Sequence, residues 1–188
     1  RLSFLAKDLY EKVTTPGSIG YRQSKWGTTG NVEFNKSRLA SSALPVKNYT
    51  TTHFPKYIEF SREYIDPLFE IENAPCWACR FTHCRMLTVK EGPYAGYVGE
   101  EPEYEQWAHW GPVIGQKDQI KAFVLSNEVD RLGMDTNHAG WVIAWLMECY
   151  DKEILSKNDL DGLEMDWGNA EAALAMLRKI AMREGVGD

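Results

Sequence analysis

The segment DQIKAFVLSNEVDRLGMDTNHAGWVIAWLMECYD, residues 118–151, decides the fold class. Asp118 and Asp135 each stand where a helix N-cap is expected, because a short acidic side chain accepts hydrogen bonds from the first turn. Gly133 lies just past a helix end, where a positive φ is favoured. The second half repeats apolar residues at i, i+3, i+4 and i+7, namely Val142, Trp145, Leu146 and Cys149. The segment therefore predicts two consecutive helices joined by a short turn.

Helical patterns also flank this segment. In the first of the two helices, Ile120, Phe123 and Val124 are expected to face inward. Leucines recur at helical spacing over residues 1–14, before a Thr-Pro-Gly stop. The remaining predicted helices are Asn31–Ser42, Lys56–Tyr64 and a last one capped by Asn169, whose apolar face holds Ala172, Leu174, Leu177, Ile180 and Ala181.

One extended segment and one pair of strands are also expected. A glycine-rich stretch covers Gly20–Gly30, and Pro45–Phe54 is predicted to be extended. Arg85–Val89 alternates as a strand does, and after a Gly-Pro turn Tyr97–Val98 can return as its partner. The expected fold is mainly α: one helical domain over residues 1–188, an orthogonal helical bundle with a short β-hairpin after a cysteine-rich loop.

Composition excludes several classes of protein. A net charge of −6 without a Lys/Arg-rich stretch argues against a nucleic-acid partner. No apolar run approaches the length of a membrane span, so no membrane association is expected. The chain opens at Arg1 inside a helical pattern, which predicts that it is a piece of a longer polypeptide. Clustered cysteines without a signal peptide favour a reducing compartment, the cytoplasm.

Three of the four cysteines stand within nine residues, as Cys76, Cys79 and Cys84 with spacing C-x2-C-x4-C. Such thiols form a local disulfide, bind one metal centre or coincide by chance. Three thiols suit three corners of an iron–sulfur cluster whose fourth ligand lies elsewhere. Zinc is the chemical rival, because His83 stands beside Cys84 and would complete a Cys3His set. Cys149 instead shares an apolar helix stripe and is expected in the core.

Two acidic groups are further candidates. Asp130 is predicted in the last turn of a helix, where a carboxylate opposes the helix dipole and so suggests a binding role, although spacing alone favours a solvated acid beside Arg131. Residues 100–105 read Glu-Glu-Pro-Glu-Tyr-Glu at a helix start, where acids are also favourable for purely structural reasons. An acid of this run that lay beneath aromatic side chains would be suited to proton transfer.

Taken in order along the chain, these motifs resemble the aldehyde ferredoxin oxidoreductase family of tungsten- and molybdenum-pterin enzymes. Gly27-Thr28 follows the first helix, and residues 44–49, Leu-Pro-Val-Lys-Asn-Tyr, are similar to the family's Leu-Pro-Thr-Arg-Asn-Phe. Residues 101–105, Glu-Pro-Glu-Tyr-Glu, resemble Gly-Pro-Glu-Tyr-Glu. Residues 130–136 resemble Asp-x-x-Gly-Leu-Asp-Thr, and the stretch from Asp159 to Gly185 matches as well.

The resemblance implies the middle helical domain of a three-domain enzyme, without the N-terminal pterin-binding β domain and the C-terminal helical domain. It implies three thiolate ligands to a [4Fe-4S] cluster (Cys76, Cys79 and Cys84), contacts to a tungsto- or molybdo-bis-pterin (Asp130, Met134 and Asp135) and an acid for proton transfer (Glu105 or Glu103). The implied reaction oxidises an aldehyde to a carboxylic acid. The implied partners are ferredoxin or a similar electron carrier and the remaining domains of the parent enzyme. Apolar surface left uncovered without those domains predicts a homo-oligomer.

The chain departs from the family pattern in its cysteine spacing. The common spacing is C-x2-C-x3-C, and here one extra residue precedes Cys84. The family's fourth cluster cysteine belongs to the third domain, and Cys149 does not occupy its place. The isolated chain is therefore expected to be inactive. A non-catalytic, zinc-binding helical interaction domain and a domain with merely free cysteines remain the alternatives.

Overall fold

The computed structural model describes residues 2–28, 45–79, 81 and 83–188. The helix predicted at Asn31–Ser42 lies outside the described residues. Within them the chain is mainly α, as predicted, with seven α-helices: α1 Leu2–Val13, α2 Ile19–Trp26, α3 Arg62–Ile65, α4 Tyr104–Trp110, α5 Gln119–Arg131, α6 Thr136–Asp151 and α7 Ala170–Met182. Short 3-10 turns cover Tyr57–Phe60, Asp66–Leu68, Pro112–Ile114 and Gly185–Gly187.

The predicted capping residues begin their helices. The carboxylate of Asp118 accepts from Ile120 N at 2.9 Å, that of Asp135 accepts from His138 N at 2.8 Å, and the Asn169 side chain starts α7 in the same way. Gly133 ends the α5 region at φ +72°, which a residue without Cβ adopts with little strain. The helix boundaries that depend on a capping side chain or a glycine turn were therefore predicted correctly.

The buried face of α6 was predicted wrongly. Leu146 and Cys149 are buried, but Val142 and Trp145 are exposed, Trp145 by 55%. The helix instead buries the neighbouring stripe around Ile143 and Met147. Both stripes are apolar, so hydrophobic periodicity alone could not choose which of them faces the core.

One helix was not predicted, and the extended segment was predicted wrongly. Residues of the glycine-rich stretch form helix α2, capped by Ser18, whose hydroxyl accepts from Tyr21 N at 3.0 Å. The segment after Pro45 is a tight turn rather than an extended chain. Its residues 47–49 all have positive φ, and Thr50 N donates to Lys47 O at 3.0 Å. The helix predicted at Lys56–Tyr64 is broken into a 3-10 turn and α3.

The predicted hairpin belongs to a three-stranded antiparallel sheet. β2 (Arg85–Val89) pairs with β3 (Val98–Glu100), as predicted, and also with β1 (Phe69–Asn73), which the sequence reasoning missed. Cys76, Cys79 and Cys84 lie in the connection from β1 to β2. The sheet therefore presents the cysteine loop at one end, next to the start of α4.

The core lies between the sheet and helices α4 to α7. Phe69 of β1 meets Phe123 of α5 edge to face at 4.8 Å, and Trp110 of α4 is fully buried with its indole N–H donating to Thr136 Oγ1 at 2.9 Å. Helix α1 contributes no buried residue and exposes Leu2, Phe4, Leu5 and Leu9. None of the helices in the described ranges is long and apolar enough to cross a membrane.

Candidate functional site

The cysteine loop brings its two outer thiols together. Cys76 Sγ lies 3.4 Å from Cys84 Sγ, and no disulfide joins them. A tight turn closed by Cys79 N donating to Cys76 O at 3.0 Å forms the tip, with Ala78 at φ +60° and Trp77 97% exposed. Cys149 is buried away in α6, as predicted. The loop thus holds one exposed and two half-buried thiols without covalent links.

Cys84 also faces an acidic cavity. This cavity is lined by Gly27, Thr28, His83, Cys84, Arg85, Glu100, Glu101, Pro102, Glu103 and Gln106. Cys79 lines a second cavity that shares Gly27, Thr28 and His83 with the first. Burial, the Cys76 thiol and the carboxylates of Glu103 and Glu100 raise the pKa of Cys84 to about 11. The site is therefore crowded with groups that repel a thiolate unless a positive group joins them.

Glu103, one of the two predicted catalytic acids, is tied to three parts of the chain. Its Oε2 accepts a short hydrogen bond from Thr28 Oγ1, and its Oε1 lies 3.3 Å from His83 Nε2. Thr28 Oγ1 in turn accepts from Tyr104 N at 2.9 Å. Glu103 thus connects the end of α2, the cysteine loop and the start of α4.

The buried acid of the Glu-rich run is Glu101, not either of the predicted ones. Its side chain is 7% exposed and forms ion pairs with Arg62 and, at 3.5 Å, with Arg85. Arg62 also lies 2.9 Å from Asp66. Sequence reasoning missed this cluster, although Arg85 directly follows Cys84 and alternation along β2 could have drawn attention to it.

Asp130 lies close to this acidic helix start. Gln106 Nε2 donates to Asp130 Oδ2 at 3.0 Å, while Gln106 Oε1 accepts from Glu103 N at 2.7 Å. Partial burial raises the pKa of Asp130, opposed by the Gln106 hydrogen bond. Gln106 therefore bridges two predicted site residues from different helices.

Met134 and Asp135 occupy the turn between α5 and α6. Met134 is half-buried and packs against the core, whereas Asp135 is exposed. Asp135 Oδ1 accepts from His138 N and lies 3.0 Å from His138 Nδ1, and the backbone hydrogen bond lowers the pKa of Asp135. The structure therefore gives Asp135 a capping role that does not depend on any cofactor.

Glu105, the other predicted acid, is exposed on the first turn of α4.

One turn later, the His109 side chain is buried, with a relative exposure of 8%. Its Nδ1 lies 2.7 Å from the Glu105 backbone oxygen, so the neutral ring donates there. Its ring meets Trp141 edge to face at 5.1 Å, and a Cβ on Gly140 would clash with it at 2.7 Å.

His109 predicts a specific pH dependence of stability. Burial lowers its pKa, opposed by Glu105 and Asp135, so the unfolded chain takes up a proton at a higher pH than the folded one. The contribution of His109 to the free energy of unfolding is therefore complete above the pKa of histidine in the unfolded chain, about 6.5. It declines as the pH falls below that value. In His109→Gln, the difference in urea midpoint between pH 7.5 and pH 5.5 should shrink.

Replacement of the exposed His53 is the matched control for that measurement. His53→Gln should leave both urea midpoints near those of the unmodified chain, because His53 is exposed. An unchanged pH dependence in His109→Gln would contradict a neutral, buried imidazole.

The donor set fits a thiolate-bound metal group, but its ligands are not assembled. Within the described part of the chain, no three His, Cys, Asp or Glu side chains already converge on one point as a metal site. Cys76 and Cys84 are adjacent, while Cys79 belongs to the neighbouring cavity. Three unlinked thiols on one short loop are the chemistry that iron–sulfur clusters use. Cys79 would have to join the other pair to hold such a group.

Comparison with known proteins gives matches along nearly the whole chain. A family described as "Aldehyde ferredoxin oxidoreductase, domains 2 & 3" matches residues 5–188. A tungsten-containing aldehyde ferredoxin oxidoreductase of Pyrococcus furiosus is 35% identical over 190 residues, which cover 100% of this chain and 30% of that protein. The tungsten-containing aldehyde ferredoxin oxidoreductase of Thermococcus kodakarensis is 34% identical over 190 residues, which again cover 100% of this chain and 30% of that protein.

A relative of another description matches a shorter part. The aliphatic sulfonate oxidoreductase, WOR-like subunit, of Pyrococcus furiosus is 33% identical over 111 residues, 59% of this chain and 18% of that protein. The chain spans 30% of the length of the two aldehyde ferredoxin oxidoreductases.

Proposed function

Because this chain belongs to the aldehyde ferredoxin oxidoreductase family, we propose that it forms a helical part of a tungsten- or molybdenum-pterin oxidoreductase. In the proposed reaction an aldehyde, or a related substrate, and water give a carboxylic acid, two protons and two electrons. A [4Fe-4S] cluster would carry those electrons to ferredoxin or a similar carrier. The observation that carries the proposal is the 3.4 Å approach of two unlinked thiols beside an acidic cavity, in a chain matched over residues 5–188.

In this proposal Cys76, Cys79 and Cys84 hold three irons of the cluster, and a cysteine outside this chain holds the fourth. The cluster, when bound, stores and releases one electron at a time. The chain's contribution is position: the sheet fixes both ends of the loop, and Glu103 ties the loop's His83 to α4. The free thiols of the cysteines favour a reducing compartment, the cytoplasm.

For the pterin we propose Asp130, Met134 and Asp135 as contacts. All three come from the end of α5 or the turn after it, and Gln106 links Asp130 to the residues beside Cys84. Carboxylates there can accept paired N–H groups of a flat heterocycle. The same short region could thus contact pterin and cluster together.

The two acids should differ in their effect on turnover. Glu103 is held by Thr28 and lies beside His83, whereas Glu105 is exposed and its carboxylate can turn toward a substrate. In the complete enzyme, Glu105→Gln should lower kcat by roughly 10²–10⁴ if it transfers the proton. Glu103→Gln should lower kcat far less and instead reduce thermal stability. Steady-state reduction of a one-electron dye by aldehyde measures both.

Equal losses of turnover in the two variants would contradict this assignment. A larger loss in Glu103→Gln, with its folding intact by circular dichroism, would move the proton-transfer role to Glu103.

The exposed apolar face of α1 supports the presence of neighbouring domains. Leu2, Phe4, Leu5 and Leu9 are exposed, and a soluble protein rarely leaves such a face uncovered. We propose that the remaining domains of a parent enzyme, or a second copy in a homo-oligomer, contact this chain. The chain alone is then inactive, because the fourth cluster ligand and most pterin contacts lie elsewhere.

Metal analysis of the complete enzyme tests the proposed function. After anaerobic purification, we expect iron in about fourfold excess over tungsten or molybdenum, together with a broad visible absorption that bleaches on reduction. Absence of all three metals would overturn the proposal.

A zinc-binding interaction domain remains a second candidate, and one distance favours it. His83 Nε2 lies 3.9 Å from Cys84 Sγ, close enough for both to join one tetrahedral site. The same preparation separates the two, since stoichiometric zinc with no colour would favour this candidate.

A further inference from the structure

Two buried guanidinium groups share one carboxylate directly behind the cysteine loop. Arg62 and Arg85 both pair with Glu101, and the three side chains are only 13%, 10% and 7% exposed. Arg62 has Asp66 as a second partner at 2.9 Å. Arg85 also donates a short hydrogen bond to the backbone oxygen of Lys25 at the end of α2. We call Arg62, Arg85 and Glu101 the arginine cluster.

The charges of the arginine cluster have lost much of their solvation. Burial lowers the pKa of Arg62 to about 10, and Arg85 contributes by repulsion. Burial also lowers the pKa of Arg85. A charge held in such surroundings acts on its neighbours more strongly than one in water, because the effective dielectric constant is lower. Replacing buried ion pairs by apolar residues is often neutral or stabilising in proteins, so stability alone gives a weak reason for this cluster.

The arginine cluster stands next to Cys84. Arg85 follows Cys84 in the chain and begins β2, while Glu101 N donates to Arg85 O at 2.8 Å across from β3. Arg85, Glu101 and Cys84 line the same cavity. The opposite influence comes from Glu100 and Glu103, whose carboxylates repel negative charge on Cys84. Arg85 lines this cavity together with Cys84, and its charge is opposite in sign to those two carboxylates.

We propose that Arg85 is a positioning residue that fixes the Cys84 end of the loop and raises the reduction potential of the electron-carrying group bound there. A reduced cluster carries one more negative charge, and net charge around a cluster is one of the factors that set its potential. The fixed positive charge stabilises the reduced form. The inference rests on the proposed function, because it needs a cluster held by the cysteine loop.

A potentiometric titration of the complete enzyme tests the role of Arg85. Arg85→Gln removes the charge, yet Glu101 keeps Arg62 as a partner, so no buried carboxylate is left unpaired. Arg85→Lys keeps the charge. The cluster signal is followed by electron paramagnetic resonance while dithionite supplies one electron per cluster. Arg178, exposed and paired with Glu128 at 3.4 Å, provides the control Arg178→Gln.

Arg85→Gln should lower the potential so that the oxidised-to-reduced ratio at a fixed solution potential rises about tenfold, equal to 59 mV for a one-electron couple. Arg85→Lys and Arg178→Gln should leave it near the unmodified value. An unchanged potential in Arg85→Gln, or an equal fall in Arg178→Gln, overturns the inference. If Arg85→Gln fails to fold, Arg62→Gln must show a smaller fall in the same direction, because Arg62 belongs to the same cluster but does not line the cavity. Absence of a cluster from the unmodified enzyme would instead overturn the proposed function.

Discussion

Replacing Glu101 by alanine should lower the free energy of unfolding by about 3–5 kcal/mol. The carboxylate lies between Arg62 and Arg85, with all three side chains nearly removed from solvent. Without it, two buried cations face each other, and the Asp66 carboxylate, which acts on both, carries a single negative charge against two positive ones. The loss would be a large part of the stability of a domain, which is typically about 5–15 kcal/mol. Urea denaturation followed by circular dichroism measures it.

Glu171→Ala is the matched control for Glu101→Ala. Glu171 pairs with Lys121 at 2.8 Å, but its side chain is exposed and solvent screens the pair. Its removal should change the free energy of unfolding by about 0–1 kcal/mol. Similar losses in the two variants would show that the buried position of Glu101 does not matter.

Replacing Cys84 by alanine should abolish the proposed cluster and with it aldehyde oxidation by the complete enzyme. Cys84 is the thiol that meets both Cys76 and the acidic cavity, and it joins the loop to β2. A cubane without one of its thiolate ligands loses iron or becomes labile to oxygen. The iron content and the visible absorption after anaerobic purification measure cluster loss, and dye reduction measures activity.

Cys149→Ala separates a ligand from a core cysteine. Cys149 is buried on α6 and does not belong to the cysteine loop. Its replacement should lower stability by about 1 kcal/mol and leave iron content and activity unchanged. A full complement of iron in Cys84→Ala would contradict the ligand assignment, whatever the behaviour of Cys149→Ala.

Local chemistry made parts of the fold predictable. Three helices are capped by hydrogen bonds to a backbone N–H two or three residues later, from Asp118, Asp135 and Asn169. Because these contacts are local, the residue types alone indicate where the helices begin. Gly133 likewise ends α5 because of its own backbone freedom. The resemblance to a family rested on motifs of the same short range, and the match over residues 5–188 confirms it.

Long-range pairing made other parts unpredictable. β1, Phe69–Asn73, has only one buried side chain, and its strand exists because β2 supplies the hydrogen bonds. In α6, both the stripe of Val142 and Trp145 and the stripe of Ile143 and Met147 are apolar. The packing of α4, α5 and α7 decided which one became the core.

The candidate site divides in the same way. The sequence by itself determined that three thiols stand close together on a loop, that acids begin the next helix and that Asp130 precedes a glycine turn. Only the tertiary structure decided that Glu101 is the buried acid, that Gln106 joins Glu103 to Asp130, and that Arg85 stands behind Cys84. These contacts join residues far apart in the chain, and their energies depend on burial, which is a property of the folded protein and not of any short segment.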